Sequence, residues 1–198
     1  MVNNNKPKIL CVMQLPPPIH GSAVMNSIVA NSELLKENFE VDVLSTNFVK
    51  TTKEIGSKSF RKIYLLIKYL WTLTFKLLFN RPNLVYFTIV PYGMSFYRDA
   101  IFVTIIKFFR IKLVYHLHGK GANNNYKRNK WIYDFVYGNV SVICLTERLK
   151  EDISFYNGEP FVLNNGIPEV EYTAIQKSSD NDGIVRILYL SNFIKSKG

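Results

Sequence analysis

Two histidines give this sequence its clearest chemistry. His116 and His118 lie in residues 112–121, KLVYHLHGKG, a run of β-forming residues that stops at two glycines. We therefore predict a strand that ends at His118, where Gly119 frees the backbone to turn. Ligands of open α/β sheets bind outside the carboxyl ends of the strands, and imidazole is the commonest proton-transfer group near neutral pH. A working histidine is expected at this point.

Both histidines also have a structural interpretation. Side chains alternate along a strand, so Tyr115 and Leu117 should lie on one face, and His116 and His118 on the other. A histidine inside a strand is often a hydrogen-bonded core residue, and this role is favoured for His116. The functional role is favoured for His118, because it is the last side chain before the glycines.

The composition limits the class of protein. The chain has 198 residues, of which 47% are hydrophobic and 20% charged, which predicts a globular domain with a sizeable core. Its net charge of +10 favours anionic partners such as phosphorylated ligands or acidic lipids. Nucleic acid is disfavoured because no arginine-rich helix, zinc spacing or RNA-binding signature is present.

The cysteines and the start of the chain indicate a location. Cys11 and Cys144 stand in apolar runs, and no secretory signal is evident, so we expect buried thiols and a cytoplasmic protein.

Strand-like and helix-like segments alternate along the chain. This alternation predicts an α/β fold, a Rossmann-like doubly wound parallel sheet. The predicted strands are 8–14, 39–45, 83–89, 112–118, 140–145 and 161–163. The predicted helices are 22–38, 63–79, 95–110, 126–137 and 147–156, the last of them capped by Thr146.

The turn after the first strand is a candidate anion site. A proline-rich loop ends in His20, Gly21 and Ser22, after which a helix is predicted, and backbone N–H groups at a helix N-terminus attract anions. A rigid turn explains the same residues equally well. In a parallel sheet, His20 should share one edge with the other two histidines. A metal site is disfavoured because no carboxylate or cysteine accompanies them at ligand spacing.

A dinucleotide-binding dehydrogenase fits poorly. Gly119 and Gly121 follow a strand, as that fingerprint requires, but Asn124 occupies the position of the third glycine. No acidic residue stands at the usual offset beyond it.

Residues 63–79 form the most apolar stretch of the chain. On a helix, Tyr64, Lys68, Thr72 and Lys76 would form one narrow polar stripe, flanked by further cations. Two lysines make a membrane-spanning helix unfavourable. A helix lying on an anionic membrane surface and a well-buried helix of the domain both remain open.

Near its end the sequence becomes polar and then apolar again. Residues 177–185 are polar and predict a linker, and 186–198 begin with a new strand. We therefore expect one domain over 1–176, the linker, and the first strand of a truncated second domain.

Several motifs occur in an order that matches a known family. They are the Gly21 loop, the pair His118-Gly119, residues 146–150 (TERLK), residues 163–167 (LNNGI) and the end of the chain from 187 to Lys197-Gly198. Together they resemble the N-terminal domain of family 4 glycosyltransferases, which have the GT-B fold. The chain departs from the family pattern at Ser22 in place of a second glycine, at Pro168 in place of an acidic residue, and at Asn192 in place of a phosphate-binding arginine.

The resemblance implies a function. The whole enzyme would transfer a sugar from a nucleotide-sugar to a glycan or lipid-linked acceptor with retention of configuration, in cell-surface polysaccharide synthesis, with no metal or other cofactor. The family holds the donor mostly in a C-terminal domain with a paired-glutamate motif, so we expect this chain alone to be inactive. His118 is the implied catalytic residue, and Lys197 would contact the donor phosphate. The implied substrate-binding residues are Pro18, His20, Gly21, Ser22, His116, Gly119, Thr146, Glu147, Asn165 and Gly166.

Two other classes of function remain. A membrane-surface or partner-binding module without catalysis, left by truncation, would explain the basic and aromatic helices. An unrelated nucleotide-binding α/β enzyme is the third possibility. In the first two cases we expect a cytoplasmic protein, in peripheral contact with the inner face of an anionic membrane.

Overall fold

A six-stranded parallel sheet forms the centre of the structure, a computed structural model that describes residues 6–49 and 60–166. The strand order is β2-β1-β3-β4-β5-β6, and every neighbouring pair is parallel. The strands are β1 (Lys8–Met13), β2 (Glu40–Ser45), β3 (Leu84–Phe87), β4 (Lys112–Leu117), β5 (Ser141–Cys144) and β6 (Phe161–Val162). The helices are α1 (Gly21–Asn31), α2 (Glu33–Asn38), α3 (Phe60–Phe79), α4 (Gly93–Phe108), α5 (Ala122–Tyr126), α6 (Lys130–Tyr137) and α7 (Glu147–Asp152).

Both faces of this sheet are covered, and the predicted α/β, Rossmann-like class is confirmed. Alternate residues of β1 enter two separate apolar clusters, with Leu10 and Val12 in one and Ile9 and Cys11 in the other. Such burial on both faces explains the nearly continuous apolar sequence of the inner strands. The described residues up to Asn165 belong to one compact unit.

Strand β4 alternates as its sequence predicts. Tyr115 and Leu117 lie in the larger apolar cluster. His116 points to the opposite face, where its ring meets Tyr86 of the smaller cluster. The two cysteines are buried and free, and burial raises the pKa of Cys11 to about 12, so its thiol stays protonated.

Two predicted helices are each divided in two. The predicted helix 22–38 breaks at Ser32, whose hydroxyl accepts a hydrogen bond from Leu35 N at 3.3 Å and so begins α2. The predicted helix 126–137 is replaced by α5 and α6, with residues 127–129 between them.

Helix α3 exposes only part of the predicted polar stripe, namely Tyr64 and Lys68. Lys76 Nζ lies 2.6 Å from Asp42 Oδ2 of β2, so this lysine is directed towards the sheet. Leu73 and Leu77 are also buried there. The other exposed side chains of this helix are large and apolar: Phe60, Ile63, Ile67, Trp71, Phe75, Leu78 and Phe79. Among the described residues, none of the helices is both long and apolar enough to cross a bilayer.

The strand order creates one crevice at the carboxyl edge of the sheet. The connection from β1 leads to β2 on one side, whereas β3 pairs with β1 on the other side. Between β1 and β3 the connections therefore diverge, and ligands of open α/β sheets bind at such a switch point.

Candidate functional site

A cavity of about 210 Å³ occupies the switch point. Its walls come from the ends of β1, β3 and β4 and from the first turns of α1. We call it the histidine cavity. It is lined by Gln14, Ser22, Asn26, Thr88, Ile89, Val90, Pro91, Tyr92, His118 and Gly119.

His118 is the imidazole of this cavity. Its Nε2 is buried and has no hydrogen-bond partner among the described residues. Burial, and to a lesser extent the neighbouring His20, lowers the pKa of His118 to about 4. The ring is therefore neutral at pH 7, with one N–H to donate and one nitrogen to accept. Such a group can hydrogen-bond a ligand without adding positive charge.

His116 lies behind His118, with ring centroids 4.2 Å apart. It is only 3% exposed, and a hydrogen bond joins its Nδ1 to the hydroxyl of Tyr86. Burial, with a smaller contribution from His118, lowers the pKa of His116 to about 4. His116 does not line the cavity, and its contacts agree with the structural interpretation of this residue.

His20 caps the helix that begins at the cavity. Its Nδ1 accepts a hydrogen bond from Ala23 N at 3.2 Å and lies 3.0 Å from Ser22 Oγ. Burial lowers the pKa of His20, which favours the neutral ring that this cap requires. A Cβ at Gly21 would meet nothing within 4 Å, so the first residue of α1 faces open space.

The proline-rich loop before α1 is held by Asn47. The Asn47 amide donates from Nδ2 to Leu15 O at 2.7 Å and to Pro17 O at 2.9 Å, and its Oδ1 accepts from Leu15 N at 3.0 Å. Pro18, which follows, is buried. The loop is thus fixed to the segment that follows β2.

Asn26 is a residue of the cavity that the sequence did not single out. It is 2% exposed, and its Nδ2 donates to Gln14 O at 2.9 Å and to Thr88 Oγ1 at 3.3 Å. Its Oδ1 is buried without a partner among the described residues. The sequence could have pointed to Asn26 through its helical spacing, which places this polar residue on the buried face of α1 with Ala23 and Ala30. Buried polar atoms are normally hydrogen-bonded, so this oxygen marks a position where a ligand group can bind.

Asp99 positions the loop after β3. The buried Asp99 carboxylate accepts from Val90 N at 2.9 Å through Oδ2 and from Arg98 through Oδ1. Its burial raises the pKa of the Asp99 carboxyl, and the Arg98 charge opposes that rise. On the same loop, Pro91 O accepts from the hydroxyl of Tyr133 at 2.9 Å.

Asp152 positions the loop after His118. Its Oδ2 accepts from Gly121 N at 2.6 Å and from Ala122 N at 2.8 Å, which caps α5. Gly121 has a φ of 130°, and a Cβ there would lie 2.6 Å from Tyr92 Cδ1. Only glycine fits this approach without displacing Tyr92.

A second, larger cavity of about 510 Å³ adjoins the first. The two cavities share Gln14, Val90 and Tyr92. Because this second cavity is lined by Arg98, Lys62 and His20, we call it the basic cavity. Its other lining residues are Phe48, Val49, Gly93, Met94 and Ser95.

The remaining predicted site residues lie elsewhere. Thr146 occupies the predicted N-cap position of α7, but its side chain makes no capping hydrogen bond. Glu147 is exposed and pairs with Lys150 at 3.1 Å. Neither residue lines the two cavities.

The last predicted residues stand near or beyond the end of the described chain. Asn165 and Gly166 are both exposed. Lys197, the predicted linker 177–185 and the strand from 186 lie outside the described residues.

Metal ligands do not cluster in the part of the chain that the structure describes. Within residues 6–49 and 60–166, no group of three or more histidine, cysteine, aspartate or glutamate side chains could hold a metal ion. The His116 and His118 rings are tilted by 42° to each other, with centroids 4.2 Å apart.

No family model and no curated protein matches this sequence. Among solved structures, the chain is similar to the crystal structure of MurG from Acinetobacter baumannii, with 10% sequence identity and a TM-score of 0.48. The match covers 82% of this chain and 47% of the MurG chain, so this chain spans about half the length of that protein.

Proposed function

We propose that this chain is the acceptor-side domain of a retaining glycosyltransferase that resembles family 4. It acts with a donor-binding domain to move a sugar from a nucleotide-sugar to a glycan or lipid-linked acceptor in cell-surface polysaccharide synthesis. The observation that carries the proposal is the neutral His118, whose Nε2 is unpartnered in a cavity at the switch point of the sheet.

In this reaction, the oxygen of an acceptor hydroxyl bonds to the anomeric carbon of the donor sugar. The bond between that carbon and the diphosphate oxygen breaks, and the hydroxyl proton passes to the departing diphosphate. Negative charge therefore develops on the leaving group, and hydrogen-bond donors fixed beside it lower the barrier. His118 supplies one such donor to the sugar or the diphosphate.

The start of α1 supplies further groups. Gly21 and Ser22 lie in its first turn, where N–H groups and the helix dipole favour an anion. The open space beside Gly21 leaves room for a phosphate to approach. The proposed chemistry calls on these donors and on nearby cations, and it invokes no metal or other cofactor.

The location that we propose is the cytoplasmic face of a membrane, with peripheral contact through α3. This helix exposes apolar side chains and carries the exposed Lys68, a combination that suits an anionic lipid surface. The same exposed face supports the alternative function, a non-catalytic membrane or partner-binding module.

Donor consumption tests the proposal. The chain, supplied with a GT-B donor-binding domain, is incubated with a panel of nucleoside diphosphate sugars and a membrane extract as acceptor. We expect release of nucleoside diphosphate from one class of donor and a product with the anomeric configuration of that donor. Membrane binding without consumption of any donor would favour the non-catalytic module, and inversion of configuration would contradict the retaining mechanism.

A further inference from the structure

The amide of Asn26 is held in one orientation. Asn26 lies on the buried face of α1, and its Nδ2 is 2.9 Å from Gln14 O. A backbone carbonyl oxygen can only accept a hydrogen bond, so the nitrogen of the amide has to face Gln14. Exchanging the two amide atoms would bring two acceptors together. The position of Asn26 Oδ1 therefore follows from the hydrogen-bond network.

Thr88 agrees with this orientation. Its hydroxyl donates to Val12 O at 3.4 Å, which uses its one proton. Thr88 Oγ1 is then an acceptor for Asn26 Nδ2 at 3.3 Å. Both N–H groups of the amide thus have an acceptor, whereas Asn26 Oδ1 has no donor among the described residues. Only a donor can satisfy this buried oxygen.

The histidine cavity, which Asn26 lines, suits an uncharged donor. The titratable residues in its lining are His118 and Tyr92, and no lysine or arginine of the described chain lines it. The ring of His118 is neutral, so a phosphate in this cavity would meet no positive charge. A phosphate is also mostly deprotonated at pH 7, and its oxygens would face Asn26 Oδ1 as a second acceptor. A hydroxyl group has the proton that this oxygen needs.

The size and walls of the histidine cavity suit a single sugar ring. Its volume of about 210 Å³ is below the range of about 300–1,000 Å³ for pockets that hold drug-sized ligands. Ile89, Val90 and Pro91 give it an apolar wall beside its polar groups. A sugar ring combines C–H faces with hydroxyl groups and can match both kinds of surface.

From these contacts we infer that Asn26 is a specificity-determining residue, whose Oδ1 accepts a hydrogen bond from one hydroxyl of the sugar in the histidine cavity. Gln14 and Thr88 hold the other end of the amide, so it cannot turn to suit a different group. A sugar without that hydroxyl leaves the buried oxygen unpaired and binds more weakly. The inference rests on the proposed function for the identity of the ligand as a sugar.

The side-chain amide signals of Asn26 report whether a sugar binds beside it. The chain, labelled with ¹⁵N and assigned by triple-resonance NMR, is titrated with the methyl glycosides of glucose, galactose, mannose and N-acetylglucosamine. With at least one of them we expect the Asn26 signals to move while those of the exposed Asn38 stay in place. This test needs no variant, so it does not depend on the folding of one. Unmoved Asn26 signals with all four glycosides, or equal movement of Asn38, would overturn the inference.

Fluorinated analogues of the bound glycoside identify the hydroxyl. Fluorine in place of a hydroxyl removes the proton, so the analogue cannot donate to Asn26 Oδ1. For the hydroxyl that faces Asn26, this exchange should weaken binding to the wild-type chain at least about tenfold. In Asn26→Leu the same exchange should change the affinity by no more than about twofold, because the partner is already absent. Equal losses in the two chains would show that another group recognises the hydroxyl, and they would overturn the role of Asn26.

Thr88→Val is the matched control. It removes one acceptor of Asn26 Nδ2 and leaves both Oδ1 and the contact with Gln14 in place. If Asn26 were only structural, Thr88→Val and Asn26→Leu would affect sugar binding in the same way. We expect Thr88→Val to keep the tenfold preference for the hydroxyl, with urea unfolding to confirm that both variants are folded. Loss of the preference in both variants would contradict its assignment to Asn26 Oδ1.

The outcomes separate this inference from the proposed function. Movement of the Asn26 signals by a glycoside, in a chain that consumes no nucleotide-sugar when a donor-binding domain is supplied, would support the role of Asn26 and overturn the transferase. Sugar transfer in which the wild-type chain and Asn26→Leu discriminate equally against the fluorinated sugar would overturn the role of Asn26 and leave the transferase intact.

Discussion

Three buried nitrogen and oxygen atoms distinguish the residues at the switch point. Asn26 Oδ1, His116 Nε2 and His118 Nε2 have no partner among the described residues. Leaving a buried polar atom unpaired costs about 1–3 kcal/mol. Two of these residues, Asn26 and His118, line the same cavity, where a sugar hydroxyl could donate to Asn26 Oδ1 and accept from His118 Nε2.

The low pKa values of the histidines predict how stability depends on pH. In the unfolded chain a histidine gains its proton near pH 6.5, whereas burial lowers the pKa of His116 to about 4. Between these values the unfolded state binds more protons at this histidine, so the contribution of His116 to the free energy of unfolding falls as the pH falls from about 6.5 towards 4.

Urea unfolding at pH 7 and pH 5 measures this effect. His116→Gln removes one of the titrating rings and keeps an acceptor for the Tyr86 hydroxyl. We expect the wild-type chain to lose more stability between the two pH values than the variant loses. If the wild-type chain and His116→Gln lose equal stability between pH 7 and pH 5, folding does not lower the pKa of His116.

Sequence alone could identify a residue of the site where a local pattern marks it, but not where its partners come from distant parts of the chain. The position of His118 after the end of β4 was predicted from a strand that ends in glycine, which is a local signal. The partners of Asn26 come from the ends of β1 and β3, and only the strand order brings these ends together. Its position on the buried face of α1 was visible, but its partners were not.

At the scale of elements, one carboxylate connects helix α7 to the loop that follows His118. Asp152, at the end of α7, accepts from the backbone of Gly121 and Ala122 and so fixes the loop that follows His118. No motif in the sequence pointed to this contact, because the partners are about 30 residues apart and belong to different elements.

Substitution of Asp152 should therefore destabilise the domain. Asp152→Ala leaves two N–H groups at the start of α5 without a side-chain acceptor, for an expected loss of about 2 kcal/mol. Asp152→Asn keeps an acceptor oxygen and should cost less. The exposed neighbour Glu151→Ala is the matched control, with an expected change within about 0.5 kcal/mol. Chemical denaturation gives all three values. An Asp152→Ala variant as stable as the Glu151→Ala control would contradict a stabilising role of the Asp152 carboxylate at the start of α5.

Helix α3 shows where periodicity alone was insufficient. The four-residue spacing of the polar residues from Tyr64 through Lys68 and Thr72 to Lys76 predicted one polar stripe, but a helical pattern does not reveal which side meets the domain. Asp42 on β2 attracts Lys76 inward, and Leu73 with Leu77 completes the buried side. Tyr64 and Lys68 stay exposed, and they share the outward side of α3 with large apolar side chains such as Trp71.

At the scale of the whole molecule, the alternation of strands and helices was sufficient to predict the fold class. Parallel strands require crossover connections, and continuous apolar strands require cover on both faces, so few other architectures were open. The strand order was not encoded in any local pattern. That order places β1, β3 and β4 side by side and makes one crevice from their ends.

At this scale, the positive charge of the chain can be related to the position of the two cavities. The chain carries a net charge of +10, and the basic cavity lies at the carboxyl edge of the sheet beside the histidine cavity. An anionic ligand would be attracted to this edge.

Sugar transfer by His118→Ala is the most direct test of this account. The variant and the wild-type chain, each supplied with the donor-binding domain, are compared for kcat with the active nucleotide-sugar, and urea unfolding confirms that both are folded. Lys120→Ala, an exposed change in the same loop, is the control. We predict that His118→Ala lowers kcat by at least about a hundredfold while the control stays near the wild-type value. A folded His118→Ala variant with near-normal kcat would contradict the central role assigned to this histidine.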